Sequence, residues 1–151
     1  SNPESDYMRT KFLDLFYLAK KSGKINSDEC HFCSTEEAET AKLTRNCFLA
    51  VKVAFFNEIE DFCRKLGIDY EGVVTITTMD ERIGTSHTQV PGPDGKKGFG
   101  GTCFPKDINS FIYQINKEQL IASVMGGAKY RNENLDRPER DWEDNKGRAI
   151  L

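Results

Sequence analysis

The chain has 151 residues, enough for one compact domain or for one domain with part of a second. Hydrophobic residues make up 38% and charged residues 30%, with a net charge of −3, a composition typical of soluble globular proteins. The acidic balance disfavours broad nucleic-acid binding, and no apolar run approaches the ~18 residues that span a bilayer, so we expect no nucleic-acid partner, no membrane and a cytoplasmic location.

The first part of the chain predicts one helix and a short strand. Apolar residues recur at near-helical spacing over 6–21, and Gly23 ends the pattern. The apolar sequence CHFC at 30–33 is short enough for a strand. Its Cys-x-x-Cys has no second pair of ligands at matching spacing, so we expect no metal site. The five cysteines are an odd number, and in a reducing compartment they are free thiols.

A long helix dominates the middle of the chain. Ser34 and Glu37 form a capping-box pattern, and no Gly or Pro occurs from Thr35 to Leu66. At 1.5 Å per residue, such a helix is roughly 48 Å long. Its apolar positions surround much of the helix, so we expect it to pack against more than its own chain, in a homodimer with the common isologous symmetry.

The second half predicts shorter helices around a glycine-rich loop. Asp69 caps a helix that continues to about Met79, and residues 84–102 are too rich in glycine and proline for a regular element. A helix over 105–116 has Pro105 in its first turn, and another runs from about Lys117 to Asn132. The tail from Asp136 is highly charged, with an amphipathic or loose segment around Trp142.

The segment GFGGTCFPKD at 98–107 presents Cys103 where a helix begins. Glycines let the backbone approach a ligand closely, and the positive end of a helix favours the thiolate form of a cysteine. Lys106 adds a cation, whereas Asp107 opposes it or acts on a proton. A thiolate in such a place suits covalent catalysis at a carbonyl. The alternative is a glycine-rich turn with an incidental cysteine.

Several segments in order resemble one family. GFGGTCFPKD closely resembles the active-site loop of the UDP-glucose and GDP-mannose dehydrogenases, and AETAKLTRN at 38–46 resembles their long central helix. DERIG at 80–84 and VPGPDG at 90–95 are similar to further family motifs. The resemblance covers roughly 34–135. It implies a mainly α fold: a helical central and dimerisation domain on one long helix, similar to the C-terminal domain of 6-phosphogluconate dehydrogenase.

The same resemblance implies a division of the chain. Residues 1–33 resemble a small α/β remnant of the end of a dinucleotide-binding domain, although the first few could be an added start. Residues 34–135 would be the helical central domain and 136–151 a charged C-terminal tail. No Gly-x-Gly-x-x-Gly follows a strand, so the family's NAD-binding domain and its second catalytic glutamate are not found here. We therefore expect this chain to be inactive in isolation.

The activity implied is the oxidation of a sugar nucleotide, UDP-glucose, to the acid with NAD as cofactor. Cys103 would form a thiohemiacetal and then a thioester, Lys42 and Asn46 would stabilise oxyanion charge, and Asp107 would manage a proton or water. The remaining implied residues are Arg82, Gly98, Phe99 and Gly100 for the substrate, Arg82 acting across the dimer, and Lys106 toward the cofactor.

Other interpretations stay open. Lys42 and Asn46 could be a solvated helix face, and Arg82 could simply pair with Asp80 or Glu81. The whole domain could be a non-catalytic dimerisation or sugar-nucleotide-binding module. A thiol hydrolase is a third option, but it needs a histidine base, and His31 and His87 lie in no recognisable constellation.

Overall fold

The computed structural model describes residues 3–144, and every regular element in that range is helical. The elements in order are α1 (Pro3–Lys21), α2 (Thr35–Leu66), α3 (Tyr70–Thr78), α4 (Phe104–Lys117) and α5 (Ser123–Arg131), then a π-helical turn (Asn132–Asp136) and a 3₁₀ turn (Asp141–Asp144). The mainly helical fold expected from the sequence is confirmed. None of the helices in 3–144 is both long and apolar enough to cross a membrane.

The chain divides into two compact units, Ser1–Ala38 and Glu39–Leu151. In the first unit, Glu37 N–H donates to Ser34 Oγ at 3.1 Å and Ser34 N–H donates to Glu37 Oε2 at 2.7 Å. These reciprocal bonds are the predicted capping box. The strand predicted at 30–33 is wrong, because the described residues contain no other strand to satisfy its backbone groups. The predicted α/β remnant is therefore not seen.

The hydrophobic core of the second unit lies where α2 meets α4, α5 and the glycine-rich loop. Two small residues of α2, Ala50 and Ala54, lie one turn apart and are buried, so neighbouring backbones can approach this face closely. Phe99 from the loop, Ile108 from α4 and Ala128 from α5 complete the contact. The core thus places the loop against the middle of α2.

Most predicted helices have nearly the expected bounds. α2 begins and ends where the sequence indicates, and Asp69 caps α3 by accepting from Gly72 N–H at 3.2 Å. The helix predicted over 117–132 begins only at Ser123. Gln119 takes the left-handed conformation, with φ of 61°, and the N–H groups of 118–120 donate back to α4 carbonyls. This C-terminal cap separates α4 from α5.

Residues 136–144 of the predicted tail are packed and belong with the second unit. Asp136, Arg137 and Trp142 are all buried. This part of the tail is therefore not loose, and residues 145–151 lie outside the described residues. The division of the sequence at 33/34 and 135/136 stays a prediction.

Candidate active site

Cys103 lies at the N-terminus of α4, as the loop pattern predicts. Its backbone is already helical, with φ of −88° and ψ of −57°, and Pro105 occupies the first turn. Gly101, two residues earlier, has φ of 70°, which makes the sharp turn into the helix. The thiol is exposed. It lies at the N-terminus of the helix, where the first N–H groups lack partners within the helix.

Asp107 contacts three other side chains that were predicted to belong to the site. Asn46 Nδ2 donates to Asp107 Oδ2 at 2.6 Å, and Lys42 Nζ lies 3.6 Å from the same oxygen. Lys106 Nζ lies 2.9 Å from the other oxygen, Oδ1. Asp107 follows Cys103 by one helical turn, since its N–H donates to the Cys103 carbonyl at 2.8 Å. Four polar groups from two distant segments thus meet one helical turn along α4 from Cys103.

The charges in this cluster favour an ionised carboxyl. Asp107 is only 2% exposed, and burial alone raises its pKa. Hydrogen bonds from Lys106 and Asn46, with the positive charges of Lys106 and Lys42, outweigh the burial and lower the pKa of Asp107 below its ordinary value. Asp107 is therefore a carboxylate that holds two ammonium groups and an amide in place.

Lys42 and Asn46 keep donors for a ligand. The Lys42 side chain is 59% exposed, and its ammonium group has three donors, none of which hydrogen-bonds to Asp107 at the 3.6 Å ion-pair distance. The Asn46 amide has a second N–H. A cleft of about 270 Å³ lies beside them, lined by Glu39, Lys42, Leu43, Lys106, Asp107, Ser110 and Gln114. Preorganised donors of this kind can stabilise negative charge that develops on an oxygen.

The glycine-rich loop is held from behind by two asparagines. Gly98 N–H donates to Asn57 Oδ1 of α2 at 3.1 Å. Asn132 binds both sides of Phe99: its Oδ1 accepts from the Phe99 N–H at 2.7 Å, and its Nδ2 donates to the Phe99 carbonyl at 2.9 Å. Asn57 and Asn132 are fully buried, so these bonds fix the backbone of the loop before it reaches Cys103.

A cavity of about 580 Å³ opens in front of the same loop, within the size range of small-molecule sites. It includes the predicted substrate residues Gly98, Phe99 and Gly100, although Phe99 is only 4% exposed and belongs mainly to the core. His87 lines it too, with φ of 63° and its ring centroid 5.6 Å from that of Phe104. The other lining residues are Val53, Thr85, Ser86, Gln89, Gly92, Pro93, Asp94, Gly101, Phe104 and Arg137.

The structure does not bring Arg82 to the Asp107 cluster. The Arg82 side chain is 89% exposed, and its guanidinium donates to both oxygens of Asp80, with Nη2 2.6 Å from Oδ2. This is the local pairing weighed as its alternative. A role for Arg82 at the site of a second copy stays a prediction.

Three buried residues that contact the loop were not predicted from the sequence. Asn57 gave a weak signal, because an amide interrupts a buried apolar face of α2. Asn132 gave none, because it falls at the predicted end of the last helix. Arg137 gave none either, because it lies in the charged tail. Both are buried in the folded chain, where Asn132 binds Phe99 of the loop.

Comparison with known proteins gives consistent matches. The model of the UDP-glucose/GDP-mannose dehydrogenase family, central domain, matches residues 36–134. The UDP-glucose 6-dehydrogenase of Rickettsia bellii is 42% identical over 101 residues, covering 67% of this chain and 22% of that protein. The Pseudomonas aeruginosa enzyme of that name is 34% identical over 107 residues (71% and 22%), and the Bos taurus enzyme 39% over 80 residues (53% and 15%). The matched part of this chain thus spans only 15–22% of the length of these relatives.

Proposed function

The chain belongs to the UDP-glucose/GDP-mannose dehydrogenase family, and from this premise we propose that it carries the nucleophile and oxyanion-binding groups of a UDP-glucose 6-dehydrogenase. One observation supports this above the others. Asp107 collects Lys42, Asn46 and Lys106 one helical turn from an exposed thiol, Cys103. If Lys42 and Asn46 were only solvent-facing residues of a helix, their side chains would not be expected to converge on one buried carboxylate.

In the proposed reaction the Cys103 thiolate adds to the C6 aldehyde carbon of the sugar nucleotide, which forms a C–S bond and moves the π electrons onto the carbonyl oxygen. The remaining donors of Lys42 and Asn46 stabilise that oxyanion. Loss of the C6 hydride, which NAD would accept, turns the thiohemiacetal into the thioester. Water then adds to the same carbon, the thiolate leaves, and the proton from the water passes to solvent. Asp107, with its lowered pKa, is a weak base, so it suits orienting the water and its cationic neighbours better than removing a proton.

NAD would accept the hydride in this family's reaction, but the described residues do not fit its main binding site. Residues 3–144 contain no strand leading into a glycine turn and helix, the arrangement that holds the pyrophosphate of NAD. We propose that the NAD-binding site is supplied from elsewhere, either by a longer parent protein or by a separate chain. A role for Lys106 toward the cofactor stays part of the proposal.

The reactivity of Cys103 tests the proposal. Limiting iodoacetamide near pH 8 should alkylate Cys103 before Cys47, because burial first and the nearby Asp107 charge second raise the pKa of Cys47 to about 11. Cys33 is the matched control, since it is also exposed but lies in the first unit. Peptide mass spectrometry should show Cys103 labelled several-fold faster than Cys33. Equal rates would mean that exposure alone explains the reactivity.

We also propose a homodimer through α2. Phe48, Phe55 and Phe62 are 64%, 56% and 58% exposed and lie seven residues apart, so they form one stripe along the helix, the spacing of helix–helix seams. Soluble monomers rarely expose so large an apolar surface, and a second copy of α2 would cover it. The same stripe favours the second candidate function, a non-catalytic dimerisation module. Ordinary reactivity of Cys103 combined with a stable dimer would favour that module.

A further inference from the structure

Arg137 is an arginine with almost no access to solvent. Its side chain is 5% exposed, although arginine is rarely buried unless it is paired. Nε and Nη2 donate to the two carboxylate oxygens of Asp141, each at 2.7 Å, and Nη1 donates to Asp94 Oδ2 at 2.7 Å. The guanidinium therefore bridges the glycine-rich loop, through Asp94, and the 3₁₀ turn after α5.

The loop backbone rests directly on this guanidinium. A Cβ atom added at Gly100 would lie 2.5 Å from Arg137 Cζ and 2.7 Å from Nη2, so only glycine leaves room there. Arg137 is also tied to the asparagine that holds Phe99, because its N–H donates to the Asn132 carbonyl at 2.8 Å. Asn132 at the start of the π-helical turn thus contacts Phe99, and Arg137 directly after the turn lies against Gly100.

A second ion pair joins the same two segments. Lys96 Nζ lies 2.7 Å from Asp141 Oδ2 and 3.2 Å from Glu139 Oε1. Lys96 and Asp94 both belong to the VPGPDGKK stretch at 90–97. This stretch is thus anchored to the segment after α5 by pairs of opposite charge.

We propose that Arg137 is a positioning residue for Cys103. It clamps Asp94 and Asp141 and supports Gly100, so it determines how the loop enters α4 and where the thiol lies relative to Lys42 and Asn46. Its planar fork matches the carboxylate of Asp141 through two parallel bonds, which a lysine cannot reproduce. The inference rests on the proposed function only in treating Cys103 as the reacting group.

The test measures the alkylation rate of Cys103 relative to Cys33 in the full chain, across pH 6 to 9, in wild type and Arg137→Lys. We expect the ratio to fall at least ~3-fold and the midpoint of its pH profile to shift, because a thiol displaced from the helix N-terminus and its cationic neighbours forms the thiolate less readily. Arg140→Lys is the matched control, since Arg140 pairs with Glu133 and Glu143 and not with the loop. This control should leave ratio and midpoint unchanged.

Circular dichroism and urea midpoints establish that each variant is folded. If Arg137→Lys does not fold, Asp94→Asn replaces it, because the Asp94 side chain is 49% exposed and its loss removes a single bond to Arg137. A folded variant with the wild-type ratio and midpoint overturns the positioning role. If wild-type Cys103 reacts no faster than Cys33, the proposed function fails, while the change in ratio still decides the role of Arg137.

Discussion

Three glycines of the cysteine loop allow backbone strain to be separated from steric contact. Gly101 has φ of 70° but nothing within 4 Å of an added Cβ, so Gly101→Ala introduces strain alone. Gly100→Ala introduces contact alone, against the Arg137 guanidinium. Gly98→Ala introduces both, because φ is 67° and the new Cβ would overlap Asn132 Oδ1 and lie 3.1 Å from Asp136 Cβ.

The expected costs follow from these environments. A left-handed alanine costs about 1–2 kcal/mol, and the stiffer unfolded chain returns about 0.4–1 kcal/mol, so Gly101→Ala should destabilise by about 0.5–1 kcal/mol. Gly98→Ala must also displace the buried Asn132 amide. That breaks two hydrogen bonds to Phe99 and leaves buried polar groups unpaired, at about 1–3 kcal/mol each, so we expect a total near 3–4 kcal/mol. Gly100→Ala should fall between them.

Urea unfolding followed by the fluorescence of Trp142, the single and buried tryptophan, measures these differences, and circular dichroism checks that one transition is observed. The midpoint should shift with little change in slope. A Gly98→Ala variant within ~0.5 kcal/mol of Gly101→Ala would contradict the expected clash with Asn132. It would mean that Asn132 moves freely and does not hold the loop.

Two further changes test the dimer and the ion pairs of Asp61. Phe55→Glu should convert a particle of about twice the 17.1 kDa chain mass into a monomer in light scattering, while Tyr113→Glu, at an even more exposed site on α4, should not. Two dimers or two monomers would contradict the α2 interface. Burial raises the pKa of Asp61, but hydrogen bonds from Lys97 and Arg131 outweigh it and hold that pKa well below 3.8. As pH falls, the unfolded chain therefore binds the proton before the folded chain does. The free energy of unfolding that the Asp61 ion pairs contribute is then lost below about pH 4. The difference in urea midpoint between wild type and Asp61→Asn should be constant above pH 5 and shrink below pH 4, and a difference independent of pH would show that the ion pairs contribute nothing.

The sequence alone was enough for the parts of the fold that depend on neighbours along the chain. Helix α2 needed only an apolar period, the Ser34–Glu37 cap and the absence of glycine and proline over 35–66. Cys103 at the mouth of α4 followed from glycines before it and Pro105 after it. These signals act within a few residues, so the local sequence determines them.

The tertiary structure decided what depends on groups far apart in sequence. The strand at 30–33 required a partner strand that residues 3–144 do not contain. The hydrogen bond between Asn46 and Asp107 joins residues 61 positions apart. The family motifs suggested a role for each residue, but they did not predict that the two side chains touch. The sequence placed Asn132 at the end of a helix and Arg137 in a charged tail. They hold the loop because packing buries them against backbone and carboxylate groups that satisfy them, and only the folded chain brings those groups together.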